Sequence, residues 1–297
     1  MTVPFAGEVA ALAAAFIWSS ATFIFSRTGS RAPAVFLNLI RGALAVLMLA
    51  ACVLALGDAA PDLTTTQWFW LAGSGVVGIS IGDSAYFAAI KRIGPSQTLL
   101  VESLTPPLTG ILGLWFLGEA LGTGAWAGVF LTTAGVVWVV TEHQPRSLPN
   151  LPGLGFAVLA AMCQASGMVM SHQVMITSPV TPLWAALVRV AAGSIVLWAA
   201  LPVVRPGLIL RRDAWRGVSA ARHGWSLFAL AVFLGTVLGI WLQQVSLKLT
   251  SAAVAQTLLS VSPLFALGLA RLSGQPVSRR SLAGSIITLC GVALFFR

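Results

Sequence analysis

Charge is the first thing this 297-residue chain is short of. Asp, Glu, Lys and Arg together make up 8% of it, against about a quarter in soluble domains. That deficit excludes a well-solvated globular surface. With 58% hydrophobic residues and a mean hydropathy of +0.92, disorder is excluded too. Lysine is reduced to Lys91 and Lys248. No Gly-x-x-x-x-Gly-Lys loop occurs to cradle nucleotide phosphates, so the chain does not drive its work by hydrolysing ATP. Cys52, Cys163 and Cys290 all fall inside apolar runs without metal-ligand spacing, so neither a metal centre nor a disulfide framework is expected. His143, His172 and His223 are far apart, and no His-Glu-x-x-His helix, nucleophile elbow or dinucleotide fingerprint is present. An enzyme is therefore the weaker class, and no cofactor is expected. The first apolar run has no basic leader and is long enough to span, so a cleavable signal peptide is not expected.

What the chain does have is ten long apolar runs. A helix crosses the hydrocarbon core with about 20 apolar residues. The runs lie near residues 5–26, 34–56, 67–90, 95–117, 123–141, 152–174, 181–203, 225–247, 251–272 and 281–297. They are continuous and do not alternate, which excludes a membrane β-barrel. Net charge is +9 with a pI near 11.2. The arginines sit in short loops between apolar runs, the pattern of a membrane protein's cytoplasmic side, so nucleic acid is not an expected partner. The lipid bilayer is.

The same pattern is written twice. Gly78 and Gly82 are matched by Gly235 and Gly239, Lys91 by Lys248, Ser103 by Ser260, Pro106 by Pro263, Gly128 by Gly284, Gly135 by Gly291, and Arg41 by Arg189. Residues 1–142 and 151–297 are thus read as two five-helix repeats forming one transport domain. An odd number of spans per repeat makes the second copy enter from the opposite face, so an inverted duplication with a site between the halves is expected. The predicted fold is an all-α integral membrane bundle of ten helices, related by a pseudo-two-fold axis in the membrane plane.

Candidate site residues follow from cost. An ionisable group near the bilayer centre is expensive and normally faces protein or water. Asp83 and Glu102 are the carboxylates of that kind, suited to binding solute or protons. Arg41 and Arg189 fit either a gating role or a structural, snorkelling one. Tyr86 shares a helix face with Asp83. Trp18 and Ser19 in the first span, Gln164 in the sixth, Trp241, Gln243 and Gln244 in the eighth, and Gln256 and Ser260 in the ninth complete a polar and aromatic lining for a small solute. Taken singly, each also fits as polar glue between helices. Pro106, Pro107 and Pro263 sit inside spans, where proline removes a helical hydrogen bond and bends the helix. Such kinks either curve helices around a cavity or are tolerated distortions. Trp68, Trp70, Trp126, Trp215 and Trp225 lie near span ends and read as interfacial belt.

Gly82-Asp-Ser-Ala-Tyr-Phe-Ala-Ala-Ile-Lys-Arg-Ile-Gly94, Ser103-Leu-Thr-Pro106 and Phe116-Leu-Gly-Glu119 resemble the third-to-fifth-span signature of the EamA family in the drug/metabolite transporter superfamily. Phe16-Ile-Trp-Ser19 and Arg41 match as well, with Ser19 in place of the usual glycine. The second copy departs from the pattern, with Gly274-Gln275 where Gly118-Glu119 stands in the first. The resemblance implies ten helices, a central cavity, and secondary transport of small metabolites, with export of amino acids or similar solutes across a bacterial inner membrane as the expectation. Asp83, Glu102, Trp18 and Trp241 also suit an organic cation such as a quaternary amine.

Charge bias and resemblance disagree on orientation. Thirteen Lys and Arg fall in the loops after odd-numbered spans, and Lys248 and Arg297 on the other side. That bias places both termini away from the cytoplasm. The resemblance implies cytoplasmic termini.

Overall fold

A computed structural model describes residues 4–28, 33–141, 150–204, 206–210, 212–219, 224–272 and 278–296. Arg31, Arg146, Arg205, Arg211, Arg222, Arg297, His143, His223 and the Gly274-Gln275 pair lie outside them. In the first half, α1 is Ala6–Thr28 and α2 is Ala34–Ala55. Helix α3 starts at Thr65–Gly75, widens into a π-helical turn at Val76–Gly82, and continues from Asp83 until Gly94. Gly94 adopts φ 78°, a left-handed conformation open to glycine, and this separates α3 from α4. Helix α4 spans 95–117 and is broken at Ser103 and Leu104, before Thr105–Leu117. Helix α5 is Thr123–Val140.

The second half repeats this plan. Helix α6 is Leu151–Thr177 and α7 is Pro182–Val204. A short surface helix, Arg212–Ser219, precedes α8. Helix α8 comprises Gly224–Val232, a π turn at Phe233–Leu238, and Gly239–Leu249. Helix α9 comprises Ala252–Leu259 and Ser262–Leu272, broken at Ser260 and Val261, and α10 is Arg279–Ala293. Among the described residues, nine of these ten helices are long and apolar enough to cross a membrane. Helix α3 is the tenth run, and its middle is more polar, carrying Asp83 with several serines and glycines.

Packing between the halves is reciprocal. Helix α2 lies on α7, α4 on α9 and α5 on α10, while α1 on α8 mirrors α6 on α3. Exchanging the halves maps this set of pairs onto itself, as a two-fold relation requires, and the odd span count makes the relation an inversion. The close approach of α5 and α10 has a residue-level cause. A Cβ on Gly135 would collide with Thr288, and one on Gly291 with Thr132. Absent side chains let these backbones touch, which is how helices gain contact where lipid removes the hydrophobic drive. Outward-facing Leu47, Leu54, Trp115, Phe130, Ile195 and Leu289 remain exposed, an apolar belt that only acyl chains would cover.

Candidate functional site

The two π turns fall at the same place in the repeat, around Gly78 and Gly235. A π turn carries one residue more than the α-helix and shifts carbonyls off their usual partners. In α8 the Gly239 N–H reaches back to Leu234 O. The Gly235 carbonyl accepts the Trp18 indole N–H at 2.6 Å. A Cβ on Gly239 would collide with the Trp18 indole and one on Gly235 with Ala21, so α1 lies against α8 at both glycines. The mirror contact is Gln164 of α6 beside Gly78 of α3. Glycines at the wide turns thus bring α1 and α6 against α8 and α3 at mid-depth.

Between these contacts lies a cavity with two lobes, of about 130 Å³ and about 330 Å³. Trp18, Asp83 and Gln164 line both. The first lobe adds Arg41, Arg189 and Gln243, and the second adds Tyr86, Glu102, Gln256, Ser260 and Pro263. The Arg41 Nη2 donates to Asp83 Oδ2 at 3.0 Å and to Asn38 Oδ1 at 2.7 Å. Glu102 Oε2 accepts a long 3.4 Å bond from Thr105 Oγ1. Gln243 Nε2 donates to Met168 Sδ at 3.0 Å. The Gln256 Oε1 has no hydrogen-bond partner among the described residues. Pro106 and Pro107 open the helix Thr105–Leu117, and Pro263 opens Ser262–Leu272. Each proline follows its helix break, where its missing N–H costs least.

Three expected lining residues point elsewhere. Ser19 is one position past Trp18, about 100° further around the helix, and its hydroxyl is held by Ala15 O, Ser262 O and Ser262 Oγ, tying α1 to α9. Gln244 is fully buried and accepts from Ser171 Oγ at 2.7 Å, joining α8 to α6. Trp241 lines a separate groove with Cys52, Asp58 and Thr181. Gln243 alone of the eighth-span trio faces the cavity, because neighbouring helical positions point to different sides. Asn38, Ser194 and Thr236 line the first lobe and were not expected. Small polar residues in apolar helices usually bond their own backbone, so the sequence carries little to mark them. Asn38 had one signal, its place one turn before Arg41.

The face opposite the arginine-rich loops is tied shut. His172 Nδ1 meets Leu247 O at 2.6 Å and its Nε2 meets Glu119 Oε1 at 3.0 Å. Thr250 Oγ1 donates to Glu8 Oε1, Lys248 Nζ to Val180 O, and Thr181 Oγ1 to Asp58 Oδ2. Most of these ties link one half to the other.

A duplicated helical membrane protein with a polar cavity between its halves is the class this architecture defines. The EamA-like transporter family model matches residues 5–141 and again 151–297. The chain belongs to that family. A 133-residue stretch, 43% of this chain and 91% of the relative, is 32% identical to an "Uncharacterized transporter in cobO 3'region" of Sinorhizobium sp. One solved crystal structure superposes with a TM-score of 0.80, over 99% of this chain and 97% of its own, at 18% identity. At that identity the likeness shows the fold alone.

Proposed function

We propose that this protein is a secondary active transporter, and no enzyme, that moves amino acids or similar small metabolites outward across a bacterial inner membrane by alternating access. The observation that carries the reading is the two-lobed polar cavity at mid-depth between inverted halves, beside matched π turns and helix breaks. Backbone irregularity at membrane depth is tolerated where it is buried or lines a water-filled space, and the broken helices of transporters are of this kind. A gradient supplies the driving force, with protons the coupling ion and Asp83 or Glu102 the groups that would carry them.

The organic-cation reading has less support. Asp83 is already paired with Arg41, Trp241 lies outside the cavity, and a second guanidinium, Arg189, lines it. The cavity residues lie toward the face bearing Arg92, Arg212, Arg216 and Arg280, the cytoplasmic face by charge bias. On that reading the cavity sits nearer the cytoplasm and the tied face is periplasmic. Efflux of radiolabelled amino acids from liposomes holding the purified protein, with and without an imposed pH gradient, tests the function. Equal efflux from protein-free vesicles for every solute would sink it. Separate fusions of a phosphatase and a fluorescent protein to Arg297 test the orientation. An active phosphatase and a dark fluorophore are expected, and the reverse places the C-terminus in the cytoplasm.

A further inference from the structure

Arg41 and Arg189 occupy equivalent places on α2 and α7, yet their surroundings differ. Arg41 is neutralised by Asp83 and held by Asn38. By the offsets of the repeat, Asp83 corresponds to Ile240 and Asn38 to Ala186. Both partners of the first arginine are therefore apolar in the second half. Ile240 and Arg189 line the same lobe.

Arg189 lacks a counter-charge and is buried by its position. Its residue is 3% exposed, and its Nε and Nη1 find no hydrogen-bond partner among the described residues. Its head extends to the α3 π turn, where a Cβ on Gly78 would lie 3.7 Å from Nη2. Buried guanidinium N–H groups without a partner are unfavourable, and an anion entering the cavity that Arg189 lines would supply both hydrogen bonds and counter-charge. The planar fork fits a carboxylate with two parallel bonds. The broken pair is confined to the cavity wall, so relief can come from a solute inside the cavity.

We infer that Arg189 is the anion-binding centre of the cavity and anchors the carboxylate of the transported solute. This rests on the transporter reading above and adds to it the charge the solute must carry. Arg41, already paired, holds the first lobe in shape and does not compete for that carboxylate.

The test uses the full chain in nanodiscs, with thermal unfolding and equilibrium binding of the twenty standard L-amino acids. The amino acid that stabilises the wild type most is compared with its carboxamide, which lacks the carboxylate. Arg189→Gln and Ile240→Asp are assayed beside the wild type, the second supplying the counter-charge that the first half has at Asp83. Both variants are expected to bind the amino acid at least tenfold more weakly and the carboxamide within twofold of wild type. Without solute both should melt at or above the wild-type temperature, an outcome a merely structural arginine would not produce. Unchanged amino-acid affinity in both variants would overturn the assignment, as would an equal loss for the carboxamide. Chloride alone stabilising the wild type as much as the amino acid would assign Arg189 to an inorganic ion and also overturn it. If no amino acid binds while another solute is still carried in liposomes, the carboxylate assignment falls and the transporter reading stands. If no solute is carried, both fall.

Discussion

Asp83 and Glu102, two carboxylates in neighbouring helices, are held in different ways. Asp83 is fixed by Arg41 at 3.0 Å with both side chains about a third exposed, so solvent screening limits the pair to about 1 kcal/mol or less of stability. Glu102 has a single long bond from Thr105. Asp83→Asn is expected to lower the melting temperature by only a few degrees and to abolish flux, because Arg41 then loses its fixed orientation in the cavity wall. Glu102→Gln should leave the melting temperature unchanged within error and still reduce flux at least tenfold. Size-exclusion profiles, thermal unfolding and liposome efflux measure these. Full flux in both variants would remove the carboxylates from the mechanism.

Among the helices, close approach at glycine brings α5 of one half against α10 of the other. Gly135 of α5 faces Thr288 and the Gly284 carbonyl of α10, with no room for a methyl group. Gly122, before α5, has nothing near its missing Cβ. Gly135→Ala is therefore predicted to destabilise the protein by roughly 2 kcal/mol through overpacking, and Gly122→Ala to stay within about 0.5 kcal/mol of wild type. Denaturant unfolding in detergent measures both, and equal stability of the two variants would contradict the packing account. The π turns are also element-scale features. They turn Gly78 and Gly235 toward α6 and α1 and seat Trp18 on the Gly235 carbonyl, so the cavity wall is built from backbone as well as side chains.

For the whole molecule, the two faces differ. One carries the arginine-rich loops, and the other is closed by Glu119–His172, Glu8–Thr250, Asp58–Thr181 and Lys248–Val180 contacts. The proposed alternating access would require these ties to part when the cavity opens that way. Glu119→Ala removes the carboxylate that His172 and the Ala252 N–H share, so it should shift the population toward the open form. With Cys52, Cys163 and Cys290 replaced by Ala, a cysteine introduced as Ser260→Cys in the cavity should react several-fold faster with a membrane-impermeant thiol reagent added from the tied face once Glu119→Ala is present. No change in labelling rate would show that the Glu119 tie does not control opening.

Much of this was legible in the sequence alone. Ten apolar runs, the paired glycines and prolines, and an odd number of spans per copy follow from composition and spacing, because membrane insertion depends on length and hydropathy and repeats are read by register. The cost of intramembrane charge pointed to Asp83, Glu102, Arg41 and Arg189. Which way a side chain faces was decided only by tertiary structure. Gln243 lines the cavity while Trp241 and Gln244 do not, since adjacent helical positions diverge by about 100° and the π turn Phe233–Leu238 shifts everything after it by one residue. Pairing was likewise hidden. Two arginines with equivalent places in the repeat differ because Asp83 stands beside one and Ile240 lines the lobe with the other, and that contrast between a neutralised and an uncompensated charge exists only when α2, α3, α7 and α8 are brought together around one cavity.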